Sequence, residues 1–162
     1  MNSRLRNYTL QHGVVLLLAL GSACGGAGMD AEGDGSDAFR ITLERGGGFT
    51  GLYTGYDLHS GGRIERWEQL PGGVVEVEWS DSVAAARVRA LGRRLREAGA
   101  DWQSEREGNM TSRVILVVGD STSTWAWEGT GDPPAPRAFA DWYRDTRELC
   151  RSVGERRGEA ER

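Results

Sequence analysis

The chain has 162 residues, a net charge of −4 and 20 basic residues, all of them arginine. Without lysine it can form neither a Schiff-base lysine nor the lysine of a P-loop. Its only histidines, His12 and His59, do not form an H-E-x-x-H zinc motif. Because the chain is acidic overall, it is not expected to have the basic surface that nucleic-acid binding requires. We therefore expect no nucleic-acid partner, no metal and no cofactor.

Residues 1–23 predict a secretory signal peptide. Arg4 and Arg6 precede an apolar run of seven residues, 14–20, which is shorter than the about 20 residues that a membrane-spanning helix needs. The small residues that follow lead into Cys24 and resemble a bacterial lipobox, although Gly21 stands where that motif usually has leucine. The resemblance implies that Cys24 carries lipid. Ordinary signal-peptidase cleavage is the alternative, because Gly21 and Ala23 also fit its small-residue pattern.

Residues 24–38 predict a lipidated cysteine followed by a flexible tether, since this stretch is rich in Gly and Asp and has no apolar periodicity. Such a chain would sit on a membrane surface of the bacterial cell envelope, on its periplasmic or extracellular side. Loss of residues 1–23 removes Arg4 and Arg6 and no acidic residue, so the net charge falls from −4 to −6. A second, electrostatic attachment to anionic lipid is therefore not expected.

Residues 39–150 predict one α+β domain. The fold class expected is an antiparallel sheet of about four to six strands with two helices packed on it, in the order ββββ-α-ββ-α. Alternating and β-branched runs predict strands at 39–44, 52–58, 63–69, 74–79, 112–119 and 122–128, and helical periodicity predicts helices that end near residues 98 and 150. The charged residues 151–162 are expected to form a frayed tail.

The sequence also predicts three local features of this domain: a helix cap, the apolar face of a strand and the environment of Cys150. Ser80 or Asp81 is expected to cap the first helix. On the preceding strand, Val75, Val77 and Trp79 alternate and should share one face. Cys150 is expected to be a small buried residue of the last helix; a disulfide with Cys24 is the alternative if Cys24 carries no lipid.

Residues 45–51, with the sequence RGGGFTG, are here called the glycine loop. They match the pattern G-x-G-x-x-G, but a strand rather than a helix follows, which argues against a dinucleotide site. Three consecutive glycines exceed what one turn needs. They indicate either close backbone packing or a loop that lies against a partner. Phe49 is then either packed in the core or exposed as an anchor.

Trp125 and Trp127 are two residues apart on a predicted strand and should point to one face. With Trp79 they form an alternative site at which rings could stack on a carbohydrate or another small ligand. The competing interpretation is a core face covered by Phe139 and Trp142 of the last helix. No pair of carboxylates and no Ser-His-Asp arrangement stands out, so no catalytic residues are predicted and the chain is not expected to be an enzyme.

Residues 41–51, ITLERGGGFTG, resemble the opening of the emfourin family, small bacterial inhibitors of thermolysin-like metalloproteases. That family opens with a strand, the motif Arg-Ser-Gly-Gly-Phe-Ala-Gly and a second strand. Gly46 and Thr50 differ from the motif, whereas the later helix, hairpin and proline-preceded last helix agree with the family. The resemblance implies a partner-binding loop formed by Arg45, Gly46, Gly47, Gly48, Phe49, Thr50 and Gly51.

Together these features predict a lipid-anchored envelope protein with a non-enzymatic, protein-binding domain. The resemblance implies that its partner is a secreted or envelope metalloprotease. A carbohydrate- or small-ligand-binding module and a purely structural lipoprotein are the alternatives.

Overall fold

The computed structural model describes residues 38–102 and 108–160. The predicted signal peptide, Cys24 and nearly all of the predicted tether lie outside these residues. The predicted fold class is confirmed: six strands form one antiparallel sheet, and two helices accompany it in the order ββββ-α-ββ-α. The strands are β1 (Phe39–Gly47), β2 (Leu52–His59), β3 (Arg63–Gln69), β4 (Val75–Ser82), β5 (Met110–Val118) and β6 (Ser121–Glu128). The helices are α1 (Ala85–Gly99) and α2 (Arg137–Ala160).

The sheet has the strand order β4-β3-β2-β1-β5-β6, so β1 is central and β4 and β6 form the edges. Short hairpins join β1 to β2, β2 to β3, β3 to β4 and β5 to β6, as their glycine-rich turns predict. α1 connects the edge strand β4 to β5, on the far side of β1. The first four strands and the last two therefore belong to one sheet.

One face of this sheet carries the core, and we call it the covered face. The register places alternate residues of neighbouring strands together, for example Ile41 beside Leu58 and Leu116. The core comprises Phe39, Ile41, Leu43, Leu58, Ile64, Val114, Leu116, Trp125 and Trp127 from the sheet, Val88, Leu91 and Leu95 from α1, and Phe139, Trp142, Tyr143, Leu149, Cys150 and Val153 from α2. Trp142 Nε1 donates to the Leu91 carbonyl oxygen at 2.9 Å, which joins the two helices.

The start of α1 differs from the prediction. Neither Ser80 nor Asp81 caps the helix, because β4 continues to Ser82 and remains paired with β3. The residue before the helix is Ala84, which provides no side-chain cap. Asp81 instead accepts a hydrogen bond from the Ser82 backbone N–H at 2.7 Å. Continued pairing between the strands has therefore displaced the cap.

The face predicted for β4 is also wrong in part. Arg66 pairs with Trp79 and Trp67 with Val77, so an irregularity in the ladder places Glu78 opposite no residue of β3. Such a bulge reverses the alternation of side chains. Trp79 therefore packs toward Tyr56 with ring centroids 6.0 Å apart, while Val77 lies on the other face and is exposed.

The last helix is longer than predicted. Residues 151–160 belong to α2 rather than to a frayed tail. Arg151 pairs with Glu148 at 2.7 Å and with Glu155 at 2.9 Å along the helix surface. Val153 is fully buried in the core. These contacts explain why helical structure continues through a segment of charged residues.

Candidate functional site

The glycine loop begins inside the β1–β2 ladder, since Arg45 to Gly47 belong to β1, and the last pair of that ladder is Gly47 with Leu52. Gly48 to Thr50 form a single 3-10 turn, closed by a hydrogen bond from the Gly51 N–H to the Gly48 carbonyl oxygen at 3.3 Å. The Gly48 N–H donates to the Asn109 carbonyl oxygen at 2.6 Å. This second bond fastens the loop to the segment that enters β5, so its backbone is held from two sides.

Close backbone packing accounts for the three consecutive glycines. Gly47 has φ of 105°, a left-handed conformation that disfavours other residues. A Cβ at Gly46 would overlap the Leu52 carbonyl oxygen and lie 2.6 Å from Tyr53 Cα. The serine that the emfourin motif has at this position therefore does not fit this loop without a backbone shift.

Phe49 is wholly exposed, with an accessible fraction of 107%. The expectation that it packs in the core is therefore wrong, and the alternative of an exposed aromatic side chain is confirmed. Met110 lies beside the loop, paired with Gly47 across β1 and β5, and is also exposed at 37%. We call Phe49 of the loop and the neighbouring Met110 of β5 the apolar tip; both are exposed beside a constrained backbone.

The tryptophans proposed as a ligand platform occupy the core instead. Trp125 and Trp127 are 8% and 0% exposed, and their indole N–H groups donate to the carbonyl oxygens of Gly99 and Gly131. Phe139 packs 5.7 Å from the Trp125 ring, which confirms the predicted cover by α2. Trp79 is half-buried beside Tyr56. The described structure therefore offers no exposed pair of indole faces for a sugar ring at Trp125 and Trp127.

A cavity of about 310 Å³ lies between the covered face and α2, and we call it the arginine pocket. Five guanidinium groups line it, those of Arg45, Arg66, Arg144, Arg147 and Arg151. Its lining also includes the side chains of Tyr56 and Tyr143. The prediction from sequence singled out only Arg45 among them. The spacing of residues 144, 147 and 151 places them along one side of a helix, and that spacing was the available signal.

A second polar cluster lies on the sheet face opposite the covered face. Ligand atoms of Asp57, His59 and Glu65 all lie within 4.8 Å of one another, as they would around a metal ion. His59 Nε2, however, is 3.0 Å from Glu65 and 3.3 Å from the Arg63 guanidinium. Arg40 lies 3.8 Å from Asp57. Arg63 also lies 3.4 Å from Glu65, so both carboxylates are already balanced by arginine, and a cation would compete with Arg63.

Cys150 and Tyr143 are the buried titratable groups of α2. Cys150 is fully buried, as predicted, and forms no disulfide within the described part of the chain; burial raises its pKa to about 12. Burial also raises the pKa of Tyr143, and the nearby Arg147 and Arg45 oppose this shift only in part. Both groups are therefore neutral at physiological pH.

The predicted lipidation site, Cys24, lies outside the described residues. Among the residues that the structure does describe, no helix is both long and apolar enough to cross a bilayer. The chain matches no protein-family model, and no curated protein is significantly similar to it. The emfourin resemblance consequently depends on the glycine loop and on the order of the structural elements.

Proposed function

We propose that this chain is a non-enzymatic protein-binding protein whose glycine loop inserts Phe49 into a partner. The observation that carries the proposal is the full exposure of Phe49 on a loop whose backbone is hydrogen-bonded to the entry of β5. Burying an aromatic side chain of this size contributes about 1.5–3 kcal/mol. A loop that is already ordered loses little conformational entropy on binding. More of the free energy of burying Phe49 therefore contributes to the binding affinity.

The partner that we propose is a secreted or envelope metalloprotease of the thermolysin-like class, which the chain would inhibit. Arg45, Gly47, Gly48, Phe49 and Gly51 support this choice through their match to the emfourin motif. Since β1 and β2 are interior strands, neither has a free edge for pairing with a protease strand. Contact would therefore depend on the side chains and backbone of the loop itself, together with Met110.

The experiment is a titration of thermolysin-like metalloproteases with the purified chain, followed by peptide hydrolysis. We expect inhibition by the native chain, and Phe49→Ala to weaken it about tenfold or more, because it removes the anchor. Val77→Ala is the matched control, because Val77 is also an exposed apolar residue, at 55%, but belongs to the edge strand β4. Absence of inhibition by the native chain at high concentration across the panel would exclude this partner.

We also propose that Cys24 anchors the chain to the envelope through lipid, with residues 25–37 as the tether. The support is the sequence from Leu20 to Cys24 and the apolar run before it. Two acyl chains are sufficient for stable attachment to a bilayer. Cys24→Ser should move the chain from the membrane fraction to the soluble fraction of its own cells. A variant that still sediments with membranes would contradict the anchor.

A further inference from the structure

The arginine pocket concentrates positive charge in an acidic chain. The chain as a whole carries a net charge of −4. Five arginines nevertheless line this one cavity, together with three acidic residues, Glu44, Asp132 and Glu148. Positive charge at the cavity is left without a partner only where an arginine has no carboxylate beside it. A concave site with low-dielectric walls strengthens the resulting potential.

Three of the five guanidiniums already have acidic partners. Arg66 pairs with Glu78. Arg144 pairs with Asp132 at 3.1 Å, and Arg151 pairs with Glu148 on the same helix. Glu44, in turn, is neutralised by Arg113 at 2.6 Å across β1 and β5. Carboxylates of the chain therefore account for the charge of these three arginines.

Arg45 and Arg147 are different, because neither forms an ion pair with a carboxylate within residues 38–102 and 108–160. Arg147 projects from α2 with its guanidinium carbon 5.5 Å from the centre of the Tyr143 ring. Arg45 comes from β1, and both cations act electrostatically on the Tyr143 hydroxyl. Two arginines from different elements, β1 and α2, therefore line the same cavity as Tyr143.

Tyr56 adds a neutral donor to this arrangement. Its hydroxyl oxygen accepts a hydrogen bond from Arg66 at 3.2 Å, which leaves its own O–H available to donate. The site therefore combines two forked cations with a hydroxyl donor. Guanidinium forks match the oxygens of carboxylate and phosphate groups. A phosphate group, with a charge of about −1.5 to −2 near neutral pH, also matches the two positive charges of Arg45 and Arg147.

We propose that the arginine pocket binds the phosphate group of a small molecule or lipid headgroup, held by Arg45, Arg147 and the Tyr56 hydroxyl. The cavity of about 310 Å³ is large enough for the phosphate and a small organic substituent. This site shares Arg45 with the glycine loop, but it includes neither Phe49 nor Met110 of the apolar tip. Its existence does not depend on the proposed inhibition of a protease, so either proposal can fail alone.

The test is calorimetric titration of the full chain with inorganic phosphate at low ionic strength, where screening is weakest. We expect saturable binding by the native chain. Arg147→Gln should weaken it about tenfold or more, because a charge-assisted contact is lost. Arg147→Lys, which keeps the charge but not the fork, should bind more tightly than the Gln variant. Arg94→Gln is the matched control, because Arg94 pairs with Asp145 at 2.7 Å outside this pocket.

Vesicles identify the source of the phosphate. In the Cys24→Ser background, binding to phosphatidylglycerol vesicles that Arg147→Gln abolishes would assign the phosphate to a lipid headgroup. Binding of inorganic phosphate without binding to vesicles would assign it to a free small molecule. Both results support the pocket. A native chain that binds neither probe, or an Arg147→Gln variant that binds them as tightly as the native chain, would overturn the proposal.

Discussion

The glycine loop and strand β6 both carry conspicuous aromatic residues, but they place them in opposite environments. Phe49 is wholly exposed at the tip of its loop, whereas Trp127 is fully buried beneath α2. This difference in exposure depends on whether another element packs against the aromatic side chain. Tyr143 packs edge-on against Trp127 with ring centroids 5.0 Å apart, while the loop that bears Phe49 follows the end of its strand pair. The aromatic residues of this chain thus include a buried set that stabilises the fold and an exposed residue, Phe49, at which we propose recognition.

The largest effect on stability that this comparison predicts is for the buried residue, Trp127. Trp127→Ala should lower the free energy of unfolding by about 3–5 kcal/mol, because it leaves a cavity in the core. The lost hydrogen bond from Trp127 Nε1 to the Gly131 carbonyl oxygen adds to the cost. Urea denaturation followed by circular dichroism measures the change. A loss below about 1 kcal/mol would mean that the site collapses around the smaller side chain.

An intermediate effect is expected at the base of the loop. Gly46→Ser introduces the residue of the emfourin motif, and its Cβ would overlap the backbone of β2. We expect a loss of about 1–3 kcal/mol in the free energy of unfolding, as for other overpacked sites. Gly61→Ser is the control, because a Cβ at Gly61 meets no atom within 4 Å. Equal stability of both variants would show that the loop adjusts without strain.

The smallest effect on stability belongs to Phe49→Ala. This change should alter the free energy of unfolding by no more than about 0.5 kcal/mol, because the side chain contacts solvent in the free protein. Thermal unfolding measured beside the native chain provides the comparison. If the variant were strongly destabilised, any loss of protease inhibition could not be assigned to the loss of an anchor. The same variant therefore distinguishes recognition from folding.

The strands and turns were predictable because their signals are local. Turns at residues 60–62 and 71–73 contain adjacent glycines, and Gly62 and Gly72 indeed have positive φ. Alternation of apolar residues likewise marks β1 as a strand with a buried face. These features depend on neighbouring residues only, so a single sequence contains the information that specifies them.

The errors share a different cause, since each involves contacts between distant elements. The bulge at Glu78 depends on the register with β3, and no local pattern in residues 74–79 reveals it. The helical form of residues 151–160 depends partly on Val153 reaching the core. The exposure of Phe49 depends on whether another element covers its loop. Arg45 and Arg147 are 102 positions apart in the numbering, and only the packing of α2 on the sheet brings them to one cavity.

The buried thiol of Cys150 has a consequence for a chain proposed to leave the cytoplasm. Exported proteins meet oxidants and disulfide-exchange enzymes that react with thiolates. Burial raises the Cys150 pKa to about 12, so the reactive thiolate is scarce near neutral pH, and the side chain is shielded from solvent as well. The folded domain can therefore keep an unpaired cysteine without forming mixed disulfides or covalent dimers. Folding itself would protect this residue from oxidation.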